Sequence, residues 1–134
     1  MSEVLEKQVV YSSANVAVPT TDETTLLQSG AVQVPVHTCI VHVRAWCQMT
    51  SGSSATGITA RLRRGPDGGN TIVGESNTVT LAAAAGGNEQ VFVEGVERRE
   101  NVSSVSYELS AQQTAATGNG TFLQGLIEVE ILTG

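Results

Sequence analysis

Two histidines and two cysteines lie within eleven residues of one another, at His37, Cys39, His42 and Cys47. These side chains bind zinc when they converge to about 2.0–2.3 Å from the ion. The residues around them alternate between apolar and polar types, which predicts an extended strand rather than a turn. A strand spreads the four side chains along its length and directs His42 to the face opposite the cysteines. The spacing therefore predicts no metal site, and we expect no cofactor.

The same strand prediction decides how the two cysteines behave. Cys39 and Cys47 are eight residues apart, which is roughly 26 Å along a strand. A disulfide needs Cα atoms within about 7 Å of each other. A cysteine nucleophile needs a histidine in hydrogen-bond reach, and His42 points the other way. We expect two free thiols buried in a core.

Other catalytic patterns are weak. Glu128 and Glu130 lie on one face of a predicted strand, about 7 Å apart, and a solvated strand face explains them better than a glycosidase pair does. The chain has no G-x-S-x-G elbow and no phosphate-binding G-x-x-x-x-G-K loop, and its glycines occur in turn contexts. The sequence predicts a protein that is not an enzyme.

Arginine is the notable polar residue, since it supplies six of the seven basic side chains. Its planar guanidinium pairs with carboxylates at two points, which favours subunit interfaces. The alternative is that these charges protect the edges of sheets. The single tryptophan lies among polar residues of a strand, where it either anchors an interface or is covered by the N-terminal segment. The predicted interface residues are Arg44, Trp46, Arg61, Arg63, Arg98 and Arg99.

Composition limits the partners and the location. The chain has 134 residues, seven basic and thirteen acidic, with a formal charge of −6, whereas nucleic-acid binders are usually basic. No stretch approaches the roughly 20 apolar residues that span a bilayer, and the acidic N-terminus does not look like a signal peptide. We expect no nucleic acid and no membrane as partners, and synthesis in a cytoplasm.

The alternating pattern recurs along the chain and predicts the fold class. Thr38–Thr50 places Cys39, Val41 and further odd-numbered residues on one dry face. Seven to nine such strands, separated by Gly-, Asn- and Ser-rich turns, predict an all-β protein, a jelly-roll-like antiparallel β-sandwich with an N-terminal arm. The arm and an edge strand take residues 1–36 and the sandwich takes 37–134. Residues 1 to about 23 either pack on a neighbouring subunit or form a strand of their own sheet.

Several local predictions are specific. Residues 71–74 and 78–81 form two short strands or one bulged strand, and 97–101 form a charged connection. Turns fall at 66–70 and 117–120, and the alanines at 82–85 are too few to start a helix. In the last strand, the core-facing positions are Leu123, Ile127, Val129 and Ile131.

The middle and C-terminal part of the chain resembles small β-sandwich structural proteins of tailed bacteriophages. The resemblance covers roughly residues 38–132 and follows a strand ending in R-R-G, the N-T-I-V-G hairpin, the A-A-A-A-G-G turn, the S-Y-E-L strand and a closing hydrophobic strand. Asn70 stands where the pattern usually has glycine. The resemblance implies a capsid decoration (cement) protein, a homotrimer on the major capsid protein at three-fold positions of the virion. It implies no catalytic residues.

Three functions follow as hypotheses. The first is a decoration protein that binds the capsid exterior as a trimer and stabilises it. The second is a tail-fibre or spike module that binds a receptor or carbohydrate, which would cluster aromatic residues on loops, although the chain has only five aromatics. The third is a trimeric all-β hydrolase, which would need convergent acidic, histidine or cysteine side chains.

Overall fold

The computed structural model describes residues 3–18, 21–52, 54–65, 71–82, 88–114 and 120–134. Within these ranges the chain forms strands and no helix. None of the described segments is a helix of the length and apolarity that crossing a bilayer requires. The strands are β1 (Val4–Ser12), β2 (Val16–Val18), β3 (Thr24–Gln28), β4 (Val32–Gln33), β5 (Thr38–Thr50), β6 (Thr56–Gly65), β7 (Thr71–Glu75), β8 (Val79–Leu81), β9 (Asn88–Glu100), β10 (Ser104–Gln113) and β11 (Gly120–Thr133).

The strands form two antiparallel sheets. Sheet 1 has the order β1-β11-β5-β9, and β2 also pairs with β11, beyond the end of β1. Sheet 2 has the order β3-β10-β6-β7, with β4 following β3 along β10 and β8 following β7 along β6. Apart from the β6–β7–β8 segment, the chain changes sheet at each long connection, which is the jelly-roll pattern. The predicted fold class is confirmed.

The core lies between the sheets and comes from the alternation of side chains along each strand. Every odd-numbered residue of β5 from Cys39 to Met49 is buried, while the even-numbered ones point outward. From sheet 2, β6 contributes Ile58, Ala60 and Leu62, and β10 contributes alternate residues from Val105 to Ala111. The small β-branched and aliphatic side chains fill a layer between two sheets about 10 Å apart.

The last strand departs from simple alternation. The pairing of β11 with β5 shifts register between Phe122 and Gln124. This bulge adds one residue, so Phe122 is fully buried while Leu123, predicted to face the core, is only half-buried. Ile127 and the next two odd-numbered positions are buried as predicted.

The N-terminal segment forms strands of the chain's own sheets. Residues of β1 pair with β11 from Val4 to Ser12, and β3 and β4 pair with β10. Trp46 lies on β5, separated from β1 by β11 in the same sheet. The N-terminal strand therefore lies in the same sheet as this tryptophan, two strands away, and does not cover it.

Strand β9 is longer than the sequence predicts. The residues expected to form a charged connection continue the strand to Glu100, and Asn101 then takes a left-handed conformation with φ of 55°. The strand continues because these residues stay paired with β5, whose Thr38 lies opposite Glu100. Residues 71–74 and 78–81 correspond to two short strands, β7 and β8. The predictions for the turn at 66–70, most of the alanines at 82–85 and residues 117–119 lie outside the described residues.

One side of the sandwich is closed by two glycines. A Cβ atom on Gly74 of β7 would collide with the backbone carbonyl of Glu94, and one on Gly95 of β9 would collide with the carbonyl of Val73. The edge strands of the two sheets thus touch backbone to backbone, which only glycine permits at such a distance.

Candidate interaction face

The six predicted interface residues occupy three places in the fold. Two of them, Arg61 and Arg63, lie on the outer face of sheet 2, and Arg99 lies on the inward side of β9 near the end of the sandwich. The other three lie on the outer face of sheet 1, where alternate residues of β5 and β9 point outward. They are Arg44, Trp46 and Arg98.

The arginines on sheet 2 are bound to carboxylates of the same chain. Glu23, just before β3, accepts hydrogen bonds from Arg61 at 3.0 Å and from both Nε and Nη2 of Arg63. Arg61 also donates to Glu75 at 2.7 Å. Ser110 of β10 donates to Glu23 at 2.6 Å. These hydrogen bonds hold the segment before β3 against the outer face of sheet 2.

The bonds of this cluster shift the ionisation of its acid. The hydrogen bond from Arg63 is the largest influence and lowers the pKa of Glu23 to about 2, against the opposing effect of burial. The same bond raises the pKa of Arg63. Glu23 is therefore a carboxylate at any pH near neutrality, which suits a structural anchor and not a proton donor.

A second charged cluster lies at one end of the sandwich. Arg64 binds Glu97 through both Nε and Nη2, and Arg99 lies 4.0 Å from the same carboxylate. Burial, with Glu97 nearby, raises the pKa of the Tyr107 phenol. These groups join β6 to β9 and hold the two sheets together at that end.

The histidines and cysteines do not converge. Cys39 and Cys47 are free and fully buried, and burial raises the pKa of Cys47 to about 12. His42 points outward and lies 3.2 Å from Glu94. Within the described ranges, no three His, Cys, Asp or Glu side chains are grouped as metal ligands would be.

Glu128, a carboxylate of β11, is also engaged locally. Glu128 accepts a hydrogen bond from Arg44 at 2.5 Å and lies 3.6 Å from Lys7. Burial alone would raise the pKa of Glu128, but the bond from Arg44 and the nearby charges lower it.

A depression of about 500 Å³ between residues 34–37 and 101–103 has His37 as its one titratable side chain. Neither place brings an acid and a base together for catalysis.

The outer face of sheet 1 carries a row of apolar side chains that crosses all four strands. Tyr11 is directly opposite Leu126, Leu126 is opposite Trp46, and Trp46 is opposite Phe92. Phe92 is 65% exposed and Tyr11 is 54% exposed. We call these four residues the apolar row. Large exposed apolar patches on a soluble domain mark interaction sites.

Polar rows border the apolar row on both sides. On one side three glutamines align across the sheet: Gln124, Gln48 and Gln90. Gln124 accepts a hydrogen bond from Tyr11 at 2.6 Å and donates one to Gln48 at 2.6 Å. On the other side Arg44 stands between Glu128 and Glu94. A depression of about 220 Å³ lies between Arg44 and Phe92. An apolar centre within a polar rim is the layout of protein interfaces.

Sequence reasoning singled out Trp46 of the apolar row and Arg44 of its polar border, but it missed the other three members of the row. Tyr11, Phe92 and Leu126 come from three strands far apart in the chain, and each looks like an isolated exposed residue in its own strand. The signal that would have found them is the outward position of each within an alternating strand. Placing them in one row requires the register between strands, which no local pattern encodes.

Comparisons with known proteins bear on the fold. No protein-family model matches the chain, and no curated protein sequence matches it significantly. Among solved structures, the chain is similar to the Eiger TNF of S. frugiperda, with a TM-score of 0.50 and 11% sequence identity over 94% of this chain and 92% of that one. A protein of disulfide-linked Bacillus endospore appendages aligns with 9% identity over 96% of this chain and 91% of that one, at a TM-score of 0.35 that is too low to bear on the fold. The first similarity agrees with the jelly-roll architecture and extends no further than the fold.

Proposed function

We propose that this protein is a non-enzymatic structural protein of a virion, a decoration protein that binds the capsid exterior as a homotrimer and stabilises it. The observation that carries the proposal is the outer face of sheet 1, an exposed apolar row with polar rims on a jelly-roll sandwich, which supports assembly of copies into a trimer. The sequence resemblance to β-sandwich structural proteins of tailed bacteriophages supports the choice of a virion.

Several charged groups of the described chain bind segments of the fold to one another, which supports a structural role. Glu23 is fastened by two arginines, Glu97 by Arg64, and Glu128 by Arg44. These bonds join segments distant in sequence, such as Glu23 and Arg63, which are forty residues apart. Such a body resists deformation, which suits a protein that must hold neighbouring capsid subunits against internal pressure.

A trimer would stabilise a shell through multivalent attachment. Three identical contacts made by one rigid body act as intramolecular events after the first, so weak individual contacts give high overall affinity. The contacts would bridge copies of the major capsid protein around a three-fold position and oppose their separation.

The test is electron microscopy of undecorated shells mixed with the purified protein. We expect added density at three-fold or quasi-three-fold positions, and decorated shells that withstand heating better than bare ones. Shells that already carry a decoration protein serve as the control, since their sites are filled. Bare shells that show no added density at a large excess of protein would refute the proposal.

A receptor- or carbohydrate-binding module of a phage tail is the second candidate. It is favoured by one observation, that Tyr11, Trp46 and Phe92 share one row of a sheet face. Aromatic rings present large rigid contact surfaces with little entropy to lose. This candidate predicts binding to immobilised glycans and no binding to shells.

A further inference from the structure

We infer that the outer face of sheet 1 is the surface on which a second copy of this chain docks, with the apolar row at the centre of the contact. The inference rests on the proposed function only for the number of copies, three. The choice of a second copy rests on the size of the face, its balance of charge and its relief.

The face has the size that a specific interface needs. Four strand positions at about 4.8 Å and about 13 residues at ~3.3 Å give roughly 19 by 43 Å, or around 800 Å². A standard interface takes about 800 Å² from each partner. A second copy of a 13.9 kDa protein is large enough to cover this area, whereas a small molecule is not.

The charge of the face differs from that of the chain. The chain as a whole has thirteen acidic and seven basic residues, whereas the outward positions here carry both signs in nearly equal number: Lys7, Arg44 and Arg98 beside Glu94, Glu100, Glu128 and Glu130. A face with one dominant sign would select a partner of the opposite sign. A face with both signs interspersed, most of them already paired within the chain, does not repel another copy of itself.

The shape of the face places an exposed aromatic side chain next to a depression. Phe92 projects from the edge strand β9, and the depression of about 220 Å³ next to it is lined by Arg44, Trp46 and Leu126. Aromatic side chains that fill a pocket on the partner, surrounded by a water-excluding rim, carry most of the energy of an interface. Phe92 of one copy entering the depression of the next, repeated around a three-fold axis, would bury part of the row on each copy.

The test is analytical ultracentrifugation of the full chain over the micromolar range, with two matched variants. Phe92→Glu changes an exposed residue of the apolar row. Ile72→Glu makes the same kind of change at a residue 46% exposed on the outer face of sheet 2. We expect trimers for the unchanged protein and for Ile72→Glu, and a dissociation constant raised at least about thirty-fold for Phe92→Glu.

Fluorescence provides a second readout, because Trp46 is the only tryptophan and lies in the apolar row. Its emission should move to shorter wavelength as the protein associates and should stay unchanged on concentrating Phe92→Glu. Circular dichroism establishes that the variant is folded. If it is unfolded, Tyr11→Ser, at another exposed end of the row, replaces it.

Three outcomes would overturn the inference. Association unaffected by Phe92→Glu would place the interface elsewhere and leave the proposed function intact. A protein monomeric at every concentration would exclude a second copy as the occupant. Glycan binding abolished by Phe92→Glu in a monomeric protein would assign the row to a carbohydrate. Trimers that fail to bind shells, by contrast, would refute the proposed function and leave the docking surface standing.

Discussion

The anchor at Glu23 predicts a specific dependence of stability on pH. Its pKa falls from the ordinary 4.5 to about 2 in the folded chain, chiefly through the hydrogen bond from Arg63. A carboxyl group with a lowered folded pKa stabilises the fold above its unfolded pKa, and this contribution is lost as the pH falls from about 4.5 to about 2. Neutral solutions therefore retain the whole effect, and acid removes it.

The size of the effect follows from the same values. A lowering of about 2.5 pH units corresponds to at most ~3.4 kcal/mol. The Glu23 side chain is 20% exposed, so solvent screens part of this, and we expect about 2 kcal/mol. Glu23→Gln keeps an oxygen that accepts from Ser110 and Arg63 but removes the charge. This variant should therefore lose about 2 kcal/mol at pH 7 and progressively less below pH 4.5.

The assay is urea unfolding followed by Trp46 fluorescence, at a fixed low protein concentration and at several pH values from neutral to about 3. The quantity of interest is the difference in unfolding free energy between the wild type and Glu23→Gln, because other carboxyl groups cancel in that difference. Glu75→Gln is the matched control, since Glu75 binds Arg61 too but is 49% exposed. We expect the control to lose less than about 0.5 kcal/mol.

Two results would refute this reasoning. The first is a difference between the wild type and Glu23→Gln that does not change with pH. The second is an equal loss from Glu23→Gln and Glu75→Gln, because burial and bidentate bonding would then have no influence on the strength of the pair.

Three further predictions concern the core and the closed side. Gly95→Ala should destabilise the fold by about 3 kcal/mol because its Cβ would collide with backbone, whereas Gly65→Ala, with its nearest contact at 3.4 Å, should change stability by less than about 1 kcal/mol in thermal unfolding. The buried thiol of Cys47, with a pKa raised to about 12, should resist a disulfide reagent at pH 8 until denaturant is added; rapid reaction in the native state would contradict its burial. Phe122→Ala should cost about 3–5 kcal/mol and Leu123→Ala about 1 kcal/mol, measured by urea unfolding, and the reverse order would contradict the bulge in β11.

The sequence predicted the core where one strand carried the whole pattern. The alternation from Cys39 to Met49 was enough to assign the dry face of β5, to keep the cysteines unpaired and to direct His42 to the opposite face. It failed at Leu123, because the bulge inserts a single residue after Phe122, and two adjacent apolar residues do not show which of them faces the core.

Interactions between distant segments were beyond the reach of sequence patterns. Arg61 and Arg63 were predicted for an interface as outward charges on a strand, but their carboxylate partner, Glu23, lies about forty residues earlier in a polar stretch. The apolar row depends in the same way on three strand pairings. Alternation within a strand shows which side chains point outward. Which side chains lie next to them on neighbouring strands depends on the register between the strands.

The contact between Gly74 and Gly95 also decides how copies of this protein can meet. Exposed strand edges invite the addition of a further strand from another molecule, which leads to open-ended fibres. Here the backbones of β7 and β9 lie against each other at their middles, so one flank of the sandwich is shielded at that point. Docking through side chains on a sheet face is a contact of another kind, since it can be complete after a fixed number of copies and can therefore give a particle of defined size.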